Sequence, residues 1–225
     1  MILSGSAIQH AIEERSIVID PFNLEQLNPA SYDLTLGDEL CVYVTSGADC
    51  CREGEPVKAW HQLPDAPPVL DTKSDCYAYR AKMSPDGFTI GSHRPRVYLM
   101  HTRERIATRR FVPVIDGKSS LGRLGLAIHV TAGYGDPGFD GQYTLEVVAL
   151  GEGVKIYPGM RIAQVRFHQL EHHGFDAPNY QDSGHYTGRA SMGPVPSRSY
   201  LQFSREPKTD PAPPPGSGEH AAVKL

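Results

Sequence analysis

The chain has 225 residues, 40% hydrophobic and 21% charged, with a formal net charge of −4. That length suits one domain, or one domain with a disordered appendage, and allows a core that needs no disulfide or metal staples. The composition is ordinary for a soluble globular protein, no apolar run reaches the roughly 18 residues of a membrane span, and the weakly acidic balance offers nucleic acid no global positive field.

SGSAIQHAIEER, residues 4 to 15, predicts a short amphipathic helix. Ala7, Ile8, Ala11 and Ile12 fall along one side, and Ser4 or Ser6 can cap it. Glu13 and Glu14 stand where a signal peptide would be apolar, so no targeting segment is read and a cytoplasmic location is expected. SYDLTL alternates and ends at Gly37, and VYV follows Cys41. Residues 45 to 95 predict an irregular insertion, rich in Pro, Asp and Cys over 45 to 75, where loop with at most one short element is expected. The four cysteines, Cys41, Cys50, Cys51 and Cys76, form no CxxC pair and read as reduced thiols. From Arg96 onward RVYLMHT, FVPVI, LGLAIHVT, QYTLEVVAL, GVKIYP and RIAQVRFHQL recur as strand signals. Many short strands broken by Gly, Pro and Asp predict a mainly β sandwich, jelly roll or barrel. Residues 180 to 203 are rich in Gly, Ser and Tyr and predict an arm, and 204 to 225 predict a disordered tail.

Two features carry the chemistry. In QYTLEVVAL, Tyr143, Leu145 and Val147 share one face while Gln142, Thr144 and Glu146 share the other. Acids are depleted in strands and costly to bury alone, so Glu146 is either an edge residue in solvent or a carboxylate aimed into a pocket. The second feature is DGKSSLGRLGL, residues 116 to 126. Its glycines, Lys118, Ser119, Ser120 and Arg123 suit an anion-binding loop, and equally an ordinary hairpin turn. Other signatures are missing: no GxxxxGK(S/T) loop, no GxSxG elbow, no HExxH. The adjacent histidines of EHHG, 171 to 174, would point to opposite faces of a strand and read as a surface loop. A zinc nucleobase deaminase needs an HxE and a distant PCxxC, and the chain has neither.

DGKSSLGRLGL together with HVTAGYGDPGFDGQYTLEV, 129 to 147, resembles the signature of the dCTP deaminases of the trimeric dUTPase-like superfamily. Those proteins show GRSSLARLGL, TAGxIDPGF and a TLE strand. NPASYDLTLG (28 to 37), YPGMRIAQVRF (157 to 167) and GPVPSRSY (193 to 200) extend the resemblance, in the right order, over most of residues 1 to 203. It implies a distorted jelly-roll or β-sandwich of dUTPase type with a short N-terminal helix, and a homotrimer with shared active sites. It also implies zinc-independent conversion of dCTP to dUTP and ammonia, feeding thymidylate synthesis, with Mg²⁺ carried by the nucleotide triphosphate. Residue by residue, Glu146 would transfer protons, while Ser119 and the Ala132 carbonyl would hold the attacking water beside Arg123. Asp136 would bond the 3′-hydroxyl and Phe139 would lie near the sugar. The backbone around Thr144, Leu145 and Glu146 would read the pyrimidine edge. Lys118 and Ser120 would face the phosphates of a nucleotide bound at a neighbouring subunit, and Tyr180, His185 and Arg189 of the arm would cover the triphosphate. In that family dTTP often inhibits through the segment that reads HVTA here.

The chemistry suits the assignment. Cytosine is a poor electrophile at C4 until N3 is protonated, so one group must give a proton there and take one from water, which a carboxyl group in a partly dry pocket can do. The sequence departs from the family at three places. Lys118 stands where arginine is usual, which keeps the charge and loses the bidentate fork. Gly135 replaces an isoleucine before Asp136, which would loosen the base or sugar wall. The arm carries His185 and Arg189 in place of a lysine and glutamine. Two alternatives stay open: a bifunctional enzyme giving dUMP, since Asp136 also matches the aspartate by which dUTPases activate water, and a non-catalytic nucleotide-binding trimer.

Overall fold

The computed structural model describes residues 1–45, 56–67, 69–74, 76–91, 96–171, 180, 186, 192–199 and 201. The Ser4 hydroxyl accepts from the Ala7 N–H at 3.3 Å and so caps α1 (Gly5–Glu13), which buries Gly5, Ile8 and Ala11. Eleven strands follow among the described residues. They are β1 (Ile17–Asp20), β2 (Tyr32–Thr35), β3 (Glu39–Tyr43), β4 (Ala78–Lys82), β5 (Phe88–Ile90), β6 (Tyr98–Thr108), β7 (Phe111–Gly117), β8 (Leu126–Ala127), β9 (Asp140–Ala149), β10 (Val154–Ile156) and β11 (Arg161–Gln169). A one-turn helix, α2 (Ser119–Gly122), lies between β7 and β8.

One sheet runs β4-β3-β6-β9-β8 with β1 also on β6, a second runs β2-β11-β7, and β10 pairs with β5. All pairings between named strands are antiparallel. The fold is therefore a mainly β sandwich of jelly-roll character with a short N-terminal helix. Its core draws on both sheets: Leu40, Val42, Met100, Ile106, Leu145 and Val147 from the first, Tyr32, Leu34, Ile115, Val165 and Phe167 from the second. β6 is long enough to hold β3 near Leu99 and β1 from Arg105 to Thr108 while pairing with β9 along its other edge. The β6–β9 register shifts between His101 and Arg105, a bulge that bends the strand.

Two expectations need correction. Residues 45 to 95 are not irregular throughout. β4 joins the sheet beside β3 and β5 pairs with β10, while the short element allowed within 45 to 75 is the 3-10 turn Trp60–Gln62. The strand AYRAK has no fully buried residue and no β-branched side chain, so its sequence lacks the usual mark of a strand. Conversely LGLAIHVT yields only the two-residue β8, because the chain beyond it leaves the ladder. Val130 and Thr131 bond to a side chain on β9, and Gly133 to Gly135 bond to β7. Among the described residues no helix is long and apolar enough to cross a membrane. Cys41 is buried and Cys76 half-buried, while Cys50, Cys51, most of EHHG and residues 202 to 225 lie outside the described residues.

Candidate active site

β9 alternates without interruption, half-buried residues at even positions and buried ones at odd positions. Its half-buried face presents Gln142, Thr144 and Glu146 in a row. β8 pairs only with Val148 and Ala149, so the stretch of β9 before them has no strand partner on that edge. There a cleft of about 410 Å³ opens, lined among others by Glu146, Thr144, Ala132, Asp136, Phe139 and Tyr180. Six residues that the resemblance singles out thus meet in one place.

Glu146 is held from above. Its Oε2 accepts the N–H groups of Val130 at 3.2 Å and Thr131 at 3.0 Å. Two backbone donors on one oxygen leave the other free to face the cleft. The next residue, Ala132, has φ +52°, a left-handed conformation that costs a non-glycine residue roughly 1 kcal/mol. Bonds on both sides enforce it: Thr131 to Glu146, and the Gly133 carbonyl to the Ile115 N–H. His129 Nε2 lies 3.3 Å from the Ala132 carbonyl oxygen and, as the protonated nitrogen, donates to it. A carbonyl has two lone pairs, so one remains for a water beside Glu146.

The opposite wall is aromatic. Phe139 packs on Tyr143 with ring centroids 4.5 Å apart and on Tyr180 at 6.1 Å. Burial pushes the Tyr143 phenol far above its ordinary range, with Tyr180 and Asp136 adding to the effect, so it stays protonated. Burial likewise raises Tyr180 and Tyr43. The Asp136 carboxylate is exposed at the mouth, with no protein hydrogen bond or ion pair among the described residues. Gly135 does not loosen this wall. It is buried, and the space a side chain would take is filled by Tyr143.

Residues 193 to 198, GPVPSR, form a strap over the polar face of β9. Prolines at 194 and 196 have no N–H, so donors remain at alternate positions. Gly193 donates to Gln142 Oε1 at 2.6 Å, Val195 to Thr144 Oγ1 at 3.0 Å and Ser197 to Tyr43 Oη at 2.7 Å. At Ser197 the strap swings toward Tyr43 and leaves Glu146 uncovered. Arg80 Nη2 ties the strap down through the Pro194 carbonyl at 3.0 Å, and Arg198 N–H donates to Tyr186 Oη at 2.6 Å. Tyr43, Gln142, Tyr143, Tyr186, Val195 and Ser197 all line the cleft and were not singled out from sequence. For Val195 and Ser197 the signal lies in GPVPSRSY with its alternating prolines, and for Gln142 and Tyr143 in the alternation of QYTLEV.

The glycine-serine loop stands apart from this cleft. Lys118, Ser119 and Ser120 line a second cleft of about 560 Å³, which shares His129 with the first. Lys118 is not free to reach outward: its Nζ lies 2.6 Å from Oδ1 of Asp33, a carboxylate only 3% exposed that also faces Arg161 at 3.6 Å. Asn28 Nδ2 donates to the same Asp33 oxygen at 3.0 Å. Arg123 is exposed at the end of α2 and lines neither cleft. Leu145 turns its side chain into the core at 0% exposure, so only its backbone can meet a ligand. His185 and Arg189 lie outside the described residues. Among the described residues no group of three His, Cys, Asp or Glu side chains converges as a metal cage would require.

A protein of Clostridium acetobutylicum named "dCTP deaminase, dUMP-forming" is 36% identical over 203 residues, covering 90% of this chain and 99% of its own length. One of Cytophaga hutchinsonii with the same name is 34% identical over 205 residues, covering 91% of this chain and 100% of its own. The crystal structure of 2′-deoxycytidine 5′-triphosphate deaminase from Agrobacterium tumefaciens aligns with a TM-score of 0.51 at 19% identity over 75% of this chain. This chain spans about half of that one, 48%, and the likeness supports the fold alone. Residues 2–170 match the family described as dCTP deaminase-like, and the chain belongs to that family.

Proposed function

We propose that the protein deaminates dCTP and then hydrolyses the product to dUMP and pyrophosphate. The observation that carries the reading is Glu146, braced by two backbone N–H groups in a cleft that also holds Asp136 and Phe139. The names of the relatives favour dUMP over dUTP as the final product.

In the first step Glu146 takes a proton from a water held by the Ala132 carbonyl, and the hydroxide attacks C4 of cytosine. The same carboxyl group delivers that proton to N3, then takes the proton of the new C4 hydroxyl and passes it to the amino group, so that the C4 carbonyl forms as the C–N bond breaks and ammonia leaves. The backbone around Thr144, Leu145 and Glu146 faces the ring edge, and Phe139 and Asp136 face the deoxyribose. In the second step Asp136 activates water against the α-phosphorus, and the P–O bond to pyrophosphate breaks. Magnesium would travel on the phosphates of the nucleotide and neutralise their charge. Ser119, Ser120 and Lys118, set in a separate cleft, would serve a site completed by a second copy of the chain, and a homotrimer provides it.

Incubation with dCTP and magnesium, followed by quantification of ammonia, pyrophosphate and nucleotides, tests the reading. Equal yields of ammonia, pyrophosphate and dUMP are expected. Ammonia with accumulating dUTP would reduce the activity to deamination, and absence of ammonia would overturn it.

A further inference from the structure

β9 places Tyr143 on its buried face beside Leu145 and Val147, where packing alone would be met by an aliphatic side chain. The Tyr143 hydroxyl is buried and has no protein hydrogen-bond partner among the described residues. It reaches instead beneath Gly135. A Cβ built on Gly135 would lie 2.1 Å from Tyr143 Oη, 3.1 Å from its Cζ and 3.2 Å from Cγ of Pro113. A side chain at 135 and a phenol at 143 therefore exclude each other. The backbone does not impose the glycine, because Gly135 is absent from the residues with positive φ. Space imposes it.

The two residues assigned to the sugar both rest on this contact. Gly135 is fixed by its N–H to the Pro113 carbonyl at 2.8 Å and leads directly into Asp136. Phe139 lies on the Tyr143 ring at 4.5 Å, and its N–H donates to the Asp136 carbonyl at 3.0 Å. Tyr143 is itself anchored, its N–H donating to Thr102 Oγ1 at 2.9 Å on β6. One ring thus supports Asp136 through Gly135 and Phe139 by direct ring contact.

We propose that Tyr143, seated in the socket left by Gly135, is a positioning residue that sets how strictly the site selects 2′-deoxyribonucleotides over ribonucleotides. The inference rests on the reading of the cleft as a deoxycytidine nucleotide site. Filling the socket lifts Asp136 and drives Phe139 toward the sugar. Emptying it lets both settle away and makes room beside C2′ for a hydroxyl.

The test uses the full-length protein, with ammonia release from dCTP and from CTP and the melting temperature measured for each variant. Gly135→Ala is expected to raise KM for dCTP about 10-fold or more with a much smaller change in kcat, since Glu146 is untouched. Tyr143→Leu is expected to lower the dCTP-to-CTP ratio of kcat/KM about 10-fold. Combining them places the new Cβ in the vacated volume, so KM should return to within about 3-fold of wild type, a strong departure from additivity. Tyr143→Phe keeps the ring on Phe139 and removes only the hydroxyl. It should fold at least as well as wild type and still lower the dCTP preference, by about 3-fold. Additive effects on KM, or melting temperatures that fall while KM and the dCTP-to-CTP ratio stay at wild-type values, would overturn the proposal and leave Tyr143 a packing residue. Wild-type protein that releases no ammonia would sink the underlying assignment, a failure visible before any substitution is made.

Discussion

At the scale of single residues, Glu146 shows how a strand can hold an acid that its own propensity disfavours. The carboxylate stands on the half-buried face of β9, where Gln142 and Thr144 are consumed by the strap and Glu146 is taken up by Val130 and Thr131. Glu146→Gln retains a carbonyl oxygen for those two donors and loses the ability to carry a proton. Deamination should therefore fall by about 10²- to 10⁴-fold, the usual worth of a general acid–base group, with nucleotide binding and melting temperature nearly unchanged. Ammonia release at saturating dCTP and a binding titration measure the two quantities. Retention of more than about a tenth of the activity would remove Glu146 from the proton path.

At the scale of elements, the bulge in β6 sets up a pH dependence. His101 is 6% exposed and packs so closely on Gly37 that a Cβ there would meet the ring at 2.1 Å. Its Nδ1, 2.9 Å from the Thr102 carbonyl oxygen, donates to it, and its Nε2 accepts the Glu39 N–H at 3.4 Å. That pattern needs the neutral ring, and burial lowers its pKa, against the Thr102 carbonyl, Glu39, Asp38 and Gln142, which pull the other way. The sign follows from linkage. As pH falls through about 6.5 the unfolded chain binds a proton that folded His101 still refuses, so stability present above that pH is lost below it, by at most about 1.4 kcal/mol per pH unit for one group. Urea-unfolding midpoints between neutral pH and mildly acidic pH should decline less steeply in His101→Gln than in wild type. Identical slopes would mean that His101 takes up its proton equally in the folded and unfolded chains and contributes nothing to the pH dependence. Much at this scale is legible in sequence. The alternation of β9 and the cap and spacing of α1 follow from side-chain period alone. β4 and β5 are not legible, being short and held by partners far along the chain. Nor is the route of the strap, which depends on Gln142, Thr144 and Tyr43, about 50 to 150 residues away. Lys118 reads as a phosphate ligand until the buried Asp33, 85 positions earlier, claims it.

At the scale of the whole molecule, the residues of the expected site are split. Glu146, Ala132, Asp136 and Phe139 line one cleft, Ser119 and Ser120 another, and His129 alone among the lining residues named here touches both. The segments that carry these residues also expose apolar side chains, with Leu124 at 59%, Val130 at 53%, Tyr134 at 61% and Leu150 at 76%. Such a concentration of apolar surface beside divided chemistry suits a contact with another copy of the chain. If each site takes Glu146 from one chain and Ser119 from the next around a closed trimer, the two halves can be damaged separately. Glu146→Gln and Ser119→Ala proteins would each be nearly inactive alone. After they are unfolded, mixed in equal amounts and refolded, random assembly would place an intact Glu146 beside an intact Ser119 at about one site in four, and about a quarter of wild-type ammonia release should return. A mixture no more active than its parents would show that both residues act within one chain, and that the second cleft must close onto the first by movement of the 117–132 segment.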